Sequence, residues 1–397
     1  MFSRFRDFRI WLTASPKFRI GVRSSAFLFL IVLWVLPQPI LHNLTPEYTS
    51  PIVTFDPQQQ VETIDSRVCV HTRLTDEVEE YKVQRTLQMV REMGASTIVE
   101  LLPWAYVERE KGVYDWTHPD RIIDHAENQG LQIIVRLGIV PRWVPAEVNV
   151  GNATLNYLPN SKFETFAEYV GTFVERYRGR VDHIIIWNEP NLNFEWGGRA
   201  ADPIAYTRLL QLSYEAAHAA NPDIVVLNAP LAPTLAPPGG AEAGWDDLDY
   251  LRQMYEAGAS DYFDAVAIHN YPFNHPPQDE PDPDVLNFRR LELMREIIVE
   301  YGDGDKPVFI TETGWNDHPR FTYGVRAIQR INYTREMWTF TQENYPWLEG
   351  ICIWNFRIPI ATNSYPDYFT LISTSGFHPK PIYESIQAYA RGWEGDE

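Results

Sequence analysis

The sequence predicts a single (β/α)8 TIM barrel of the α/β class. Eight short runs of apolar, often β-branched residues alternate along the chain with amphipathic segments of helical spacing, an alternation typical of a parallel barrel. No Gly-x-Gly-x-x-Gly follows an early strand, which argues against the alternative of a doubly wound open sheet. The length of 397 residues suits one barrel domain, which we place at residues 67–397.

The eight strands are predicted from hydrophobic runs that are too short for helices. They are residues 68–72, 97–102, 132–137, 182–187, 224–228, 265–270, 308–311 and 350–354. The segments between them have a helical period, as in 77–93, which Gly94 follows, and in 161–177. Active sites of such barrels lie at the carboxyl ends of the strands, so residues there are the candidates for chemistry.

Residues 1–41 are predicted to be a targeting segment outside the fold. They hold six basic residues against one acidic residue and contain an apolar run at 24–36. No small-x-small cleavage site follows, so we expect an uncleaved membrane anchor, with a cleaved signal peptide as the alternative. The positive-inside rule then places the barrel outside the cytoplasm, anchored or secreted, and the polar residues 42–66 form a linker.

Charge and aromatic content favour a neutral carbohydrate as the partner. The net charge is −19, and because residues 1–41 carry +5, the remainder carries −24, which repels nucleic acid. The chain has 13 Trp and 21 Tyr, whose rings can stack on the apolar faces of sugars.

The chain has only two cysteines, Cys69 and Cys352. They fall in the first and last predicted strands, which are neighbours in a closed barrel. A bridge between adjacent parallel strands is sterically awkward, so two buried thiols are expected.

Two glutamates at predicted strand ends are the candidate catalytic pair. Glu189 stands in the string WNEPN (187–191) after strand four, and Glu312 stands in TETGW (311–315) after strand seven. Pro190 disfavours a helical residue before it and predicts an extended Glu189, while Gly314 loosens the chain after Glu312. Hydrolysis of a glycosidic bond needs such a pair of carboxylates.

Further polar and aromatic residues stand at the same strand ends, where buried spacers would be aliphatic. As substrate-binding residues we predict His71, Trp104, Arg136, Asn188, His269, Tyr271, Trp315 and Trp354. For Arg136, a buried ion pair with Glu100 is favoured over direct sugar contact. No metal or other cofactor is predicted, because His71-Thr72-Arg73 lacks the second histidine that a metal-dependent barrel hydrolase needs on strand one.

These motifs resemble the retaining (β/α)8 glycoside hydrolases of clan A, most closely glycoside hydrolase family 39, with family 5 second. The strings WNEPN (187–191) and ETGW (312–315) carry the resemblance, together with Pro103-Trp104, segment 108–116 and tail 376–383. It covers about residues 67–393.

The resemblance also implies roles for single residues. Glu189 is then the general acid/base, Glu312 the nucleophile and Asn188 a donor to the sugar 2-hydroxyl. His269 and Tyr271 would line the reactive subsite and orient the nucleophile, and Trp354 would be the platform beneath the reactive sugar.

We therefore expect a retaining β-glycosidase that works by double displacement. Aromatic residues in loops after several strands favour an open groove and internal (endo) cleavage of a cell-surface or extracellular polysaccharide; they are Trp143, Phe194, Trp196, Trp245, Phe273 and Tyr368. The alternative is an exo-acting β-glycosidase of the xylosidase or glucosidase type. A catalytically inactive glycan-binding barrel is disfavoured, because binding alone needs no matched acid and nucleophile. The sequence makes no prediction of oligomeric state.

Overall fold

The computed structural model describes residues 54–146, 156–237, 244–374 and 376–393. The predicted targeting segment 1–41 and residues 42–53 of the predicted linker lie outside this part of the chain. Among the described residues no helix is both long enough and apolar enough to span a bilayer.

All eight predicted strands are confirmed, with ends within two residues of the prediction. They are β1 Val68–His71, β2 Thr97–Pro103, β3 Gln132–Gly138, β4 His183–Ile186, β5 Val225–Leu227, β6 Val266–Asn270, β7 Val308–Thr313 and β8 Leu348–Ile353. Neighbouring strands pair in parallel in the order β5-β4-β3-β2-β1-β8-β7-β6. A parallel bridge between Leu227 and Ala265 joins the two ends of this order. The prediction of a TIM barrel is therefore confirmed.

Helices follow the strands and cover the outside of the barrel. They are α1 Glu80–Met93, α2 Trp104–Val107, α3 Thr117–Asn128, α4 Phe163–Arg176, α5 Pro203–Ala220, α6 Asp247–Glu256, α7 Arg290–Glu300, α8 Ala327–Asn344 and α9 Pro381–Ala390. Gly94 ends α1 in the left-handed conformation, with φ of 101°. An added Cβ there would lie 2.8 Å from Cβ of Ala390, so α1 and α9 pack closely at this point.

A cluster of small and branched side chains fills the barrel interior, separate from the larger core between sheet and helices. The cluster consists of Cys69, Val99, Ile134, Ile185, Leu227, Ala265, Ala267 and Cys352. Side chains alternate between the two faces of a strand. Two positions after Cys69, Ile134 and Ala267, the residues His71, Arg136 and His269 therefore face the same interior, at the carboxyl end of the barrel.

The prediction of two buried thiols is wrong, because Cys69 and Cys352 form a disulfide. The two residues are direct register partners between β1 and β8. Both side chains point into the barrel, and their Cα atoms are only 4.1 Å apart. The register that brings the sulfurs together could not be read from the spacing of the two cysteines.

The described end of the predicted linker is irregular and lies against the barrel helices. The N–H of Gln59 donates to the side chain of Gln129 at 3.0 Å, and the N–H of Ile64 donates to the carbonyl of Ala390 at 2.8 Å. These contacts attach the segment to the ends of α3 and α9.

Candidate active site

The chain turns sharply after β4 and presents Glu189 to the barrel mouth. Trp187 and Glu189 both have positive φ, 81° and 41°, so the prediction of an extended Glu189 is wrong. A hydrogen bond to the loop after β5 holds the turn, since the N–H of Glu189 donates to the carbonyl of Pro230 at 3.1 Å. The indole N–H of Trp187 donates to the carbonyl of Glu195 at 3.1 Å. Positive φ at residues other than glycine is uncommon and concentrates at functional sites.

Glu312 lies inside β7, where the pairing with both neighbouring strands shifts register. The side chain is buried. Gly314 follows with φ of 146°, a backbone conformation that favours glycine, as the sequence predicts. The chain can therefore leave the strand directly after the buried carboxylate.

The two glutamates come together at the mouth of the barrel. One carboxylate oxygen of Glu189, one of Glu312 and a ring nitrogen of His269 all lie within 4.8 Å of one another. The two carboxylates have different surroundings, because the Glu312 side chain is more deeply buried than that of Glu189.

Both oxygens of Glu312 accept hydrogen bonds. Nη1 of Arg136 donates to Oε1 at 2.6 Å, and the hydroxyl of Tyr271 donates to Oε2 at 2.7 Å. Burial by itself would raise the pKa of Glu312, but the charges of His269 and Arg136 and the Tyr271 hydroxyl outweigh it and hold the pKa well below its ordinary value. Arg136 keeps its charge at every accessible pH, so Glu312 is ionised.

The favoured pairing of Arg136 with Glu100 is wrong, because their side chains face opposite sides of the sheet. Val99 points into the barrel, so Glu100 points outward, whereas Arg136 shares the inward parity of Ile134. Glu100 instead accepts from the Thr72 hydroxyl at 2.5 Å and from the backbone N–H groups of residues 74 and 75, each at 3.0 Å. It holds the loop that follows β1.

His269 contacts the predicted acid/base more closely than the predicted nucleophile. Its Nδ1 lies 2.7 Å from Oε1 of Glu189, while its Nε2 lies 3.7 Å from Oε1 of Glu312. The pair on β6 was predicted to orient the nucleophile together, but the two residues divide this work. Tyr271 hydrogen-bonds to Glu312, and His269 hydrogen-bonds to Glu189.

His71 is a fully buried, neutral imidazole at the floor of the site. Burial, reinforced by the charge of Arg136, lowers the pKa of His71 to about 3. Its Nδ1 lies 2.7 Å from the carbonyl of Thr72, a contact that requires the proton on Nδ1. Nε2 is then an acceptor, 3.5 Å from Oε1 of Glu312 and without a hydrogen-bond partner among the described residues. Two acceptors at this distance need a donor beside them.

Asn188 and Trp354 also reach the site. Oδ1 of Asn188 accepts from Nη1 of Arg136 at 2.8 Å, so only its Nδ2 remains as a donor. Trp354 is half-buried and packs edge-on against Tyr271 and Phe369, with ring centroids 6.5 and 5.2 Å away. Sequence reasoning missed Phe369, because no strand-end signal marks it; it lies far along the loop after β8.

Trp104 and Trp315 do not reach the cleft, contrary to the prediction that they bind substrate. Trp104 is fully buried, stacks on Tyr169 and donates its indole N–H to Glu108 at 2.5 Å. Trp315 is 1% exposed and donates its indole N–H to the carbonyl of His275 at 2.8 Å. Both rings belong to the packing behind the site walls.

Some of the aromatic residues predicted in the loops also pack against the protein and not toward the cleft. Trp196 is buried and packs edge-on against Trp187, and Trp245 packs against Tyr250. Trp143 donates its indole N–H to the carbonyl of Glu108 at 2.8 Å. Phe194, Phe273 and Tyr368 keep exposed or half-exposed rings.

Glu189, His269 and Glu312 are also the one group of three potential metal ligands among the described residues. Both oxygens of Glu312 already accept from Arg136 and Tyr271, and Glu189 is already paired with His269. A cation would have to displace these contacts beside the fixed charge of Arg136. The donor set therefore suits a carboxylate pair better than a resident ion.

The fold is similar to those of several solved glycoside hydrolases. A family 39 glycoside hydrolase from the gut symbiont Bacteroides cellulosilyticus WH2 matches with a TM-score of 0.64 and 20% identity, over 84% of this chain and 65% of that one. The chain has the fold of the family 39 glycoside hydrolases. A monomeric β-xylosidase from Caulobacter crescentus CB15 matches with a TM-score of 0.59 and 18% identity, over 82% of this chain and 68% of that one.

A further match is an exo-β-1,4-mannosidase from Opitutaceae bacterium strain TAV5, with a TM-score of 0.54 and 16% identity, over 86% of this chain and 62% of that one. The chain thus spans about two thirds of the length of these proteins, 65% for the first of them. No protein-family model matches the sequence.

Proposed function

We propose that the protein is a retaining β-glycosidase in which Glu189 is the general acid/base and Glu312 is the nucleophile. The observation that carries the proposal is the pair of carboxylates with oxygens within 4.8 Å of each other in unequal surroundings. Retaining enzymes hold their two carboxyl groups about 5–5.5 Å apart, whereas inverting enzymes leave about 6.5–9.5 Å for a water molecule.

The first step forms a bond between Glu312 and the sugar. A Glu312 oxygen attacks the anomeric carbon while the bond from that carbon to the leaving oxygen breaks, and protonated Glu189 gives its proton to the leaving oxygen. Arg136 and Tyr271 keep Glu312 ionised for this attack. Trp354 provides an apolar face for the ring that reacts.

The second step releases the sugar. Glu189 has given its proton to the leaving group in the first step, so it can now take a proton from water. The water oxygen bonds to the anomeric carbon, the ester bond breaks, and Glu312 recovers its charge. Two inversions give the starting anomeric configuration.

The neutral His71 supports a sugar hydroxyl as the group next to Glu312. Its acceptor Nε2 and the Glu312 oxygen lie 3.5 Å apart, and a hydroxyl between them can donate to one of the two. Nδ2 of Asn188 is a donor for an acceptor on the same sugar. The site therefore offers both donors and acceptors for a neutral, hydroxylated ring.

The stereochemistry of the first product tests the proposal. Aryl β-xylosides, β-mannosides and β-glucosides are given to the wild type and to Glu312→Gln, and proton NMR follows the new anomeric signal. We expect the β-anomer first and no release by Glu312→Gln. Initial appearance of the α-anomer would mean inversion, and equal release by both proteins would remove Glu312 from the chemistry. A wild type that binds glycans without cleaving any of them would support the inactive-barrel alternative.

Internal cleavage of a polysaccharide is the mode of action we propose. Exposed rings stand in loops on opposite sides of the barrel mouth, since Phe194 follows β4 with 44% exposure and Tyr368 follows β8 with 37%. Rings on both sides suit a chain that passes through the site. Exo action is the second candidate, favoured by the similarity in fold to an exo-β-1,4-mannosidase.

We also propose that the barrel works outside the cytoplasm, on a cell-surface or extracellular polysaccharide. The basic and apolar residues 1–41 support an anchor or secretion signal. The Cys69–Cys352 disulfide supports the same location, because such bonds persist in oxidising compartments. Fractionation of expressing cells tests the anchor: we expect the full-length chain in the membrane fraction with the barrel open to external protease, whereas a soluble chain starting near residue 42 would show a cleaved signal peptide.

A further inference from the structure

Four aromatic rings form a continuous strip on the loops that follow β6, β7 and β8. The aromatic strip consists of Phe273, Phe321, Tyr323 and Tyr365, which come from the loops after β6, β7 and β8. Ring centroids are 5.1 Å apart for Phe273 and Tyr323, 5.8 Å for Tyr323 and Phe321, and 5.2 Å for Phe321 and Tyr365. The strip is therefore continuous across three loops that are distant in sequence.

The inner end of the strip adjoins the site. Phe273 follows Tyr271 by two residues, so their Cα atoms are at most about 7 Å apart. Tyr271 donates to Glu312. The first ring of the strip therefore stands two residues from a side chain that contacts the proposed nucleophile.

The outer rings face solvent. Tyr323 is 53% exposed and Tyr365 is 49% exposed, although each lies against another ring of the strip. Exposed aromatic rings that neighbouring rings hold in place are more typical of a binding surface than of chance exposure.

The loops that carry the strip are locked to one another. Nδ2 of the buried Asn316 donates to the carbonyl of Tyr365 at 2.8 Å, which joins the loops after β7 and β8. The carbonyl of Asn316 accepts from the N–H of Val325 at 2.8 Å and closes the β7 loop on itself. Trp315 joins the β7 loop to the β6 loop through the carbonyl of His275. A ligand therefore finds the rings in place and does not have to order them.

We propose that the aromatic strip is a distal subsite that stacks sugar rings of an oligosaccharide whose reactive bond lies between Glu189 and Glu312. The proposal rests on the proposed glycosidase activity and adds to it that the substrate is a chain of neutral pyranose units rather than a small glycoside. Aromatic faces attract the apolar C–H faces of pyranoses, and the two tyrosine hydroxyls serve hydroxyl groups at the ring edges.

The experiment compares a long substrate with a short one. The full-length protein and the double variant Tyr323→Ala/Tyr365→Ala are assayed with β-1,4-linked xylo-, manno- and gluco-hexasaccharides and with the matching aryl monoglycosides. We expect the ratio of kcat/KM for the hexasaccharide to that for the monoglycoside to fall about tenfold or more in the double variant, about 1.4 kcal/mol.

Two control variants isolate the rings. Tyr323→Phe/Tyr365→Phe keeps both rings and removes the hydroxyls. In this variant the ratio of the two kcat/KM values should stay close to that of the wild type. Trp393→Ala removes a ring that is 52% exposed but follows the end of α9, and it should leave the ratio at the wild-type value. An unchanged ratio in the double alanine variant overturns the proposal. Sedimentation that reveals a wild-type dimer, lost in that variant, also overturns it, because the strip is then a self-association surface.

A binding measurement tests the proposed subsite independently of the proposed glycosidase activity. Gels that contain xylan, mannan or a soluble β-glucan retard a protein that binds the polysaccharide, whether or not it cleaves it. Retardation of the wild type and its loss in the double alanine variant support the strip even if no substrate is hydrolysed. No retardation of the wild type in any gel overturns the strip, while the NMR assay judges the activity by itself.

Discussion

Nδ1 of His269 lies 2.7 Å from Oε1 of Glu189. The same imidazole turns its Nε2 toward Glu312, 3.7 Å from Oε1 of that carboxylate. One ring therefore touches the proposed acid/base and faces the proposed nucleophile. The ring forms a hydrogen bond with Glu189 alone, because its Nε2 has no hydrogen-bond partner among the described residues.

Replacing Glu189 with Gln should affect substrates according to their leaving groups. Glycosides with poor leaving groups need the proton and should lose about 10²–10⁴-fold in kcat, the usual contribution of a general acid. Activated aryl glycosides need little protonation and should lose far less in the first step. Pre-steady-state and steady-state rates on both substrate types provide the measurement, and equal losses on both would remove Glu189 from the acid role.

Replacing His269 with Gln should weaken the positioning of Glu189. A hydrogen bond to a charged group contributes about 1.5–3 kcal/mol, so we expect a loss of about 10–100-fold in kcat on poor leaving groups. The loss should be smaller on activated aryl glycosides, because His269 hydrogen-bonds to Glu189, whereas Arg136 and Tyr271 still keep Glu312 ionised in the variant. A purely structural role would instead lower both rates equally and reduce the melting temperature.

Replacing Tyr271 with Phe should move the acidic limb of the pH–rate profile to higher pH. Glu312 is active when ionised, and the Tyr271 hydroxyl is one of the groups that lower the pKa of Glu312. Its loss raises that pKa and moves the acidic limb of kcat/KM to higher pH. A limb that stays in place would mean that another group titrates.

The lowered pKa of Glu312 also makes the free energy of unfolding depend on pH. A carboxylate whose pKa is lower in the folded state contributes stability above its unfolded pKa, and this contribution is lost as the pH falls toward the folded value. Tyr271→Phe makes the difference between the folded-state and unfolded-state pKa of Glu312 smaller. The variant should therefore lose less unfolding free energy than the wild type on acidification. Urea unfolding at neutral and acidic pH checks the sign.

Much of the barrel follows from the periodicity of the sequence, whereas the pairing of single side chains does not. Eight hydrophobic runs mark the strands because a buried parallel strand must be apolar on both faces. Glu189 and Glu312 stand out because polar residues end those runs. Glu100 faces outward from the barrel and Arg136 faces inward. An unbroken run of apolar residues does not show which positions of a strand face inward, so the sequence could not separate the two side chains.

The predictions for Trp104 and Trp315 and for the two cysteines are wrong for the same reason, because each depends on the tertiary structure. A tryptophan near a strand end has the same sequence signal whether it faces a sugar, as proposed for Trp354, or fills the packing behind the wall, as Trp104 and Trp315 do. The disulfide depends on the register of β1 against β8, which is set by the whole barrel. Neither property is local in sequence.

The disulfide makes a prediction that needs no mutation. The chain contains two cysteines, so thiol titration of the denatured, unreduced protein should detect no free thiol. Two reactive thiols would contradict the bond. Because it closes a loop of 283 residues, its reduction or a Cys69→Ser/Cys352→Ser variant should cost about 2–5 kcal/mol of unfolding free energy, measured in urea against the oxidised protein.

The size of the first products decides between internal and terminal cleavage. An endo-acting enzyme binds sugar units on both sides of the scissile bond, and Phe194 and Tyr368 supply exposed rings in the loops after β4 and β8, on opposite sides of the barrel. Soluble xylan, mannan and a β-glucan are each incubated with the protein, and early products are separated by size. We expect oligosaccharides of mixed length with a rapid fall in viscosity, while Phe194→Ala should shift the distribution of lengths. Monosaccharide as the sole product from the first time point would show that one end of the cleft is closed and would replace the endo proposal with exo action.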